Sequence, residues 1–182
     1  MRINDRHFEV KELAYTIRSA VADDAEQLSA VRLQIDGETE NMDRDRGEAF
    51  IDPAGFKEVI GMDTERPRNL FLVAEAKGRI VGFSRCEGTD LKRFSHKAEF
   101  GVCVLQAYWG YGIGNNLLKE SLAWADRNGI RKVTLNVLET NEKAIALYKK
   151  LGFEIEGVLQ KDKLLSDGLY YNTIMMGRWH EA

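Results

Sequence analysis

The stretch Val104-Leu105-Gln106-Ala107-Tyr108-Trp109-Gly110-Tyr111-Gly112-Ile113-Gly114-Asn115 decides the fold. The apolar run before it, residues 100–105, reads as a buried strand. Three alternating glycines follow, and an apolar-periodic helix begins at once. Glycine tolerates unusual dihedrals and lets the backbone approach a ligand closely. A helix N-terminus presents unpaired N–H groups and a partial positive charge, which suits phosphate. The stretch therefore reads as an anion cradle between a strand and a helix, and a plain tight turn in an α/β domain fits it too.

Other phosphate-binding patterns fit poorly. A Walker loop needs a Lys-Ser/Thr pair, and Gly114 is followed by Asn115-Asn116-Leu117. A dinucleotide fingerprint needs a small residue three places after its second glycine. That place falls on Asn115 or Leu117. The strand also lies in mid-chain, not at the start of a βαβ unit.

Outward from the glycines, the pattern continues on both sides. Gly114, Leu117, Leu118, Ser121, Leu122 and Ala125 share an arc of about 140° on the following helix, which fits packing on a sheet. Asn128-Gly129 ends that helix. Residues 132–138 read as a strand. Thr140 or Asn141 caps a short helix whose inner face is Ala144, Ile145, Leu147, Tyr148 and Leu151. Residues 153–165 and 169–179 read as a hairpin around Ser166-Asp167-Gly168.

Upstream, residues 15–18 read as a strand, and a helix opens at Asp23-Asp24 and runs to about Gln34, its acids placed to suit the macrodipole. Residues 36–68 are charged and hold both prolines, with a helix expected near 55–62. Residues 70–74 and 80–86 form two strands around the turn Lys77-Gly78-Arg79. Residues 91–95 form a loop before the strand at 98–105. Residues 1–14 are either a loose arm or an extra edge strand, and 15–182 are one domain. The fold class is α/β: a mixed, mostly antiparallel sheet of six to seven strands, with helices on both faces.

Composition bounds the function. A net charge of −3 gives no general attraction to nucleic acid or acidic lipid. No apolar run approaches the ~18 residues of a membrane span, and no signal-peptide core follows Met1. Cys86 and Cys103 are too few and too far apart for a metal site or a disulfide framework. Both read as buried free thiols, and a reducing cytoplasm is the expected compartment. No Ser-His-Asp arrangement is readable, and His7 and His180 have no assigned role.

Two motifs together resemble the Gcn5-related N-acetyltransferase family. They are Val104-x-x-x-Tyr108-x-Gly110-x-Gly112-Ile113-Gly114 and Leu135-x-Val137-x-x-x-Asn141-x-x-Ala144-Ile145-x-Leu147-Tyr148-x-x-x-Gly152-Phe153. Arg93-x-x-His96-x-Ala98-Glu99-Phe100-Gly101, Glu156-Gly157 and Asp167-Gly168-x-Tyr170 are similar to its ribosomal-protein and small-amine branch. The resemblance covers residues 15–179.

It implies acetyl transfer from acetyl-CoA to a primary amine by direct attack in a ternary complex. The amine would belong to a small molecule, such as a polyamine or amino acid derivative, or to a protein N-terminus. A catalytically silent acyl-CoA-binding module is the alternative. No metal, nucleic acid or membrane is implied, and a homodimer is a family expectation, with Ile174-Met175-Met176 available to pair subunits.

The resemblance also implies a site. Two parallel strands, 98–105 and 132–138, splay apart, and pantetheine lies in the gap against backbone groups of Val102 and Val104. The pyrophosphate sits on N–H groups of Trp109, Gly110, Tyr111, Gly112, Ile113, Gly114 and Asn115. Asn141 contacts coenzyme or caps its helix. Tyr148 occupies the position that protonates the departing thiolate. A phenol near pKa ~10 giving its proton to a thiolate near ~8.5 is uphill by ~2 kcal/mol, and water could substitute. Glu99 and, three residues before it, His96 are the two choices for the base.

Three positions depart from the family pattern. Trp109 replaces a frequent Arg or Gln, which removes a charge-assisted phosphate contact. Gln106 replaces a frequent proline, which is expected to loosen the strand exit. Asn172 replaces a frequent acid, which puts a substrate contact there in doubt. Substrate choice is expected to depend on residues 36–68 and the final hairpin. The acids Glu38, Glu40, Asp43 and Asp45 read as a solvated face.

Overall fold

The structure is a computed structural model that describes residues 2–181. Eight strands and four helices follow in the order β1 (Arg6–Val10), β2 (Leu13–Ser19), α1 (Ala25–Glu38), α2 (Pro53–Glu65), β3 (Leu70–Ala76), β4 (Arg79–Gly88), β5 (Lys97–Val104), α3 (Ile113–Arg127), β6 (Lys132–Leu138), α4 (Glu142–Lys150), β7 (Glu154–Leu164) and β8 (Tyr170–Trp179). One sheet holds all eight strands in the order β1-β2-β3-β4-β5-β6-β8-β7. Every neighbouring pair is antiparallel except β5 and β6.

The strand count exceeds six to seven because residues 6–10 pair with β2. Of the two readings of residues 1–14, the edge strand is the one observed. Its apolar residues explain why it adheres: Phe8 stacks on Tyr15 with centroids 5.4 Å apart. The turn to β2 is two residues, Lys11 and Glu12, both with positive φ (50° and 64°). That is the twist a short hairpin needs, here without glycine.

β4 shows how the two faces are covered. Phe83 packs edge-on against Phe56 of α2, with centroids 6.4 Å apart. The next residue, Ser84, faces Ser121 of α3. Successive strand residues point to opposite faces, so α2 and α3 lie on opposite sides. The core runs through both layers, with Leu72, Val73, Leu117, Leu118 and Trp124 all buried.

The first helix starts later than Asp23. A short 3-10 turn takes residues 22–24. Asp24 is buried: it accepts the Val21 N–H at 2.8 Å and a bidentate pair of bonds from Arg18. Its role is therefore a cap and a tie to β2, more than a complement to the helix dipole. α2 begins where Asp52 accepts the Gly55 N–H and Pro53 opens the helix.

The gap and its glycine turn

Pairing between β5 and β6 runs from Lys97–Lys132 to Glu99–Thr134 and then stops. On its other edge β5 stays paired with β4 through Val104, and β6 stays paired with β8 through Leu138. The two parallel strands thus separate between two intact ladders. Leu105 N–H donates to Val81 O at 2.9 Å, which marks their opposed positions as a hydrogen-bonded pair. Antiparallel pairs alternate. The backbone groups of Cys103 and Gly101 therefore face β4, and those of Val102 and Val104 face the gap. A cleft of about 910 Å³ opens there, lined by β5, β6, α1, α2, α4 and the glycine turn.

The turn closes one end of the cleft. Gly110 and Gly112 both take left-handed backbone (φ 83° and 73°), and Gly112 is the N-cap of α3. Tyr15 pins it from β2: its hydroxyl donates to Tyr111 O at 3.2 Å and accepts from Asn116 Nδ2 at 2.7 Å. Burial raises the Tyr15 pKa, so the phenol stays protonated as that donor needs. The β1–β2 turn reaches the same place. A Cβ added at Gly110 would lie 3.8 Å from Lys11 Nζ, and one at Gly112 would lie 4.0 Å from Val10 Cγ2. Lys11 thus brings a cation to a turn where Trp109 stands in place of a basic residue. Nothing local in residues 1–14 signals this; it needs the hairpin's position in the sheet.

Trp109 is half exposed, and its indole N–H donates to Val104 O at 2.8 Å. A carbonyl has two lone pairs, so Val104 keeps one acceptor direction in the gap. The strand exit is not loosened by Gln106. Its backbone N–H donates to Glu38 Oε2 at 2.7 Å, a bond that proline could not make. Of the acids read as a solvated face, Glu40, Asp43 and Asp45 are exposed, but Glu38, Glu40 and Asp43 also hold partners. Glu38 holds that N–H, Glu40 accepts from the Ser166 N–H at 2.7 Å, and Asp43 pairs with Lys163. They tie the α1–α2 connection to the strand exit and to the β7–β8 hairpin.

Tyr148 and Glu99 both line the cleft. Tyr148 is buried on α4, tilted against Phe153 with centroids 5.9 Å apart. Burial pushes its pKa up to about 12. Its hydroxyl has no hydrogen-bond partner among the described residues. Glu99 is exposed to the cleft, not buried and paired. It lies where the two strands part, opposite Glu87 of β4. His96 is not part of the cleft lining. Its ring packs on Trp179, centroids 6.1 Å apart, below the point of separation. The structure therefore divides the two base choices.

Asn141 caps α4, its side chain accepting the Ala144 N–H at 3.3 Å, and it also lines the cleft. Asn172 is used within the fold, accepting the Lys161 N–H and donating to Glu139. Ile174-Met175-Met176 lie on β8 between β6 and β7, with Met176 buried and Ile174 and Met175 half-buried. Cys86 is the buried free thiol expected; Cys103, also free, is only half-buried, because it borders the cleft. Burial pushes both thiols up to about 12, which disfavours the thiolate. Among the described residues no cluster of acids, histidines and cysteines could hold a metal ion.

Residues 23–153 match the acetyltransferase (GNAT) family. The chain is 36% identical over 116 residues to the L-amino acid N-acetyltransferase AaaT of Escherichia coli (strain K12), spanning 63% of this chain and 70% of that protein. It is 31% identical over 130 residues to the spermidine N(1)-acetyltransferase of the same organism, 71% of this chain and 67% of that one. An acetyltransferase of the GNAT family from Streptococcus pneumoniae superposes with a TM-score of 0.88 at 27% identity, over 91% of this chain and 99% of that chain. The strands that part beside a glycine turn are thus those of a known enzyme class: the chain belongs to the acetyltransferase (GNAT) family and is an acetyl-CoA-dependent N-acetyltransferase.

Proposed function

We propose that residues 15–182 act as one catalytic domain that transfers acetyl to a primary amine by direct attack in a ternary complex, with Glu99 and Tyr148 as the catalytic pair. The observation that carries this reading is the parting of β5 and β6 after Glu99–Thr134, with Val102 and Val104 turned into the gap. The coenzyme supplies the acetyl group as an activated thioester. Val102, Val104 and Asn141 hold its pantetheine arm, and N–H groups from Trp109 to Asn115 hold the pyrophosphate, with Lys11 as a nearby cation.

An amine with pKa ~10 is protonated at neutral pH and must lose a proton before it can attack. Glu99, exposed at the start of the gap, receives that proton directly or through water. The amine nitrogen then bonds to the acetyl carbon and the carbon–sulfur bond breaks. The nitrogen gives its second proton to water, Tyr148 gives its proton to sulfur, and water then reprotonates Tyr148 and takes the first proton from Glu99. Cys103 supports direct transfer over an acyl-enzyme: it is the one thiol at the cleft, and its thiolate is disfavoured. Initial rates measured against both substrates are expected to give intersecting lines, with free thiol released only when an amine is present. Parallel lines, or acetyl retained on Cys103, would overturn the direct route.

No helix in the described residues is long and apolar enough to cross a membrane, and the absence of any disulfide among them fits a reducing cytoplasm. A homodimer, if formed, would use the β7 edge, where Ile155, Val158 and Leu159 are exposed. A monomeric mass by light scattering contradicts that assembly.

A further inference from the structure

The cleft wall that faces α1 and α2 has an uneven charge arrangement. Two of its arginines are spent on buried acids. Arg44 makes two hydrogen bonds to Asp36, and Arg85 makes two to Asp63. Asp36 and Asp63 are both buried, so each arginine neutralises a charge that would otherwise be costly. Arg32 differs. It lines the cleft from α1, donates only to the Ala49 carbonyl at 2.7 Å, and has no carboxylate partner among the described residues. Burial first, and then the Arg44 charge, work against its ionised form; the Asp36 carboxylate, held by Arg44, offsets this only in part, and the net shift is downward. An anion entering here would relieve that.

The strand opposite fixes where the anion would lie. Glu99, Gly101 and Cys103 alternate along β5 and share the face that carries Phe83 and Arg85 on β4. Arg32 is close enough to Cys103 for its charge to favour the thiolate there. Gly101 lies midway between Cys103 and Glu99, and a Cβ added to it would meet nothing within 4 Å. Two residues of strand span about 6.6 Å. An amine over Gly101 would thus have an unpaired acid on one side and an unpaired arginine on the other, each within a side chain's reach. Phe56 and Phe83 give the same wall an apolar surface.

We propose that the acceptor is an α-amino acid with an apolar side chain, its carboxylate held by Arg32 and its amine presented between Gly101 and Glu99. This rests on the acetyltransferase reading and narrows it. A polyamine fits less well. Its additional ammonium groups need further acids, whereas Asp36, Asp63 and Asp43 are already paired, Glu87 lies 3.6 Å from Arg85, Glu99 is taken up by the reacting amine, and Arg32 repels them.

The test compares kcat/KM for L-leucine and L-phenylalanine with that for their amides and for spermidine. A lost hydrogen bond to a charged group is worth about ten- to a hundredfold, so the free amino acids should lead their amides by that factor. Arg32→Gln should bring the ratio towards one through KM, and Arg32→Lys should keep part of it. Equal or better use of the amides or spermidine by the wild type overturns the proposal, as does an unchanged ratio in Arg32→Gln. Titration with acetyl-CoA separates the two levels. If acetyl-CoA fails to bind the wild type, the acetyltransferase reading falls; if it binds and spermidine or amides are preferred, only the amino-acid proposal falls.

Discussion

Tyr148 stands where burial and catalysis pull in different directions. With its pKa near 12, giving a proton to a thiolate near ~8.5 is uphill by about 3.5 units, or about 5 kcal/mol. The ordinary phenol value suggests only about 2 kcal/mol. The same burial guarantees a neutral hydroxyl at working pH, ready to donate a hydrogen bond to developing charge on sulfur. General acids are typically worth about 10²–10⁴-fold, and a donor this weak belongs at or below the low end. Tyr148→Phe should therefore lower kcat by about 10- to 100-fold while acetyl-CoA affinity changes little. Full activity would remove Tyr148 from the mechanism.

Stability offers a second readout of the same residue. Its folded pKa, about 12, lies above the ordinary 10.0. Below pH 10 both folded and unfolded chains keep the proton, so there is no difference. Between 10 and 12 the unfolded chain ionises first, and the native state loses on the order of 3 kcal/mol. Urea midpoints measured from pH 9 to 11.5 should shift in favour of Tyr148→Phe as pH rises. A constant gap between the two proteins would show that burial does not hold the phenol neutral.

At the scale of elements, the parts legible in the sequence are those set by local pattern. β6 and the α4 cap fall where alternation and Asn141 put them, because a buried strand and a capped amphipathic helix declare themselves within a few residues. Glu99 and Tyr148 were legible only through the family motifs, since neither's neighbours in sequence reveal the gap they share. What stayed hidden depends on partners far along the chain. Gln106 meets Glu38 across 68 residues, and Tyr15 meets Asn116 across 101. Arg32 reads as one more charge on a helix until Arg44 and Arg85 are seen to be occupied. The β1–β2 hairpin is the clearest case: an edge strand is one of the two readings of residues 1–14, yet nothing in them shows that it carries Lys11 to the glycine turn. Lys11→Ala should weaken acetyl-CoA binding about two- to fivefold at low salt, and the loss should shrink as salt rises. Unchanged affinity at low salt would leave Lys11 a turn residue only.

At the scale of the whole molecule, the sheet works as a wedge. β1 to β5 form one continuous ladder and β6, β8 and β7 another, joined only by the short parallel contact at residues 97–99 and 132–134. Ties from Glu38, Glu40 and Asp43 link the α1–α2 connection to both halves. The cleft thereby has two sides: the glycine turn and α4 border one, where coenzyme is proposed to lie, and α1 and α2 border the other. Every step above requires that the parted strands and the glycine turn together hold acetyl-CoA. Calorimetric titration of acetyl-CoA, ATP and NAD into the wild type and Gly112→Val tests it most directly. A side chain forced into left-handed backbone costs roughly 1–2 kcal/mol. The account predicts one acetyl-CoA per chain, no comparable binding of ATP or NAD, and about tenfold weaker acetyl-CoA binding in Gly112→Val. Tighter binding of ATP or NAD, or equal acetyl-CoA affinity in the two proteins, would contradict it.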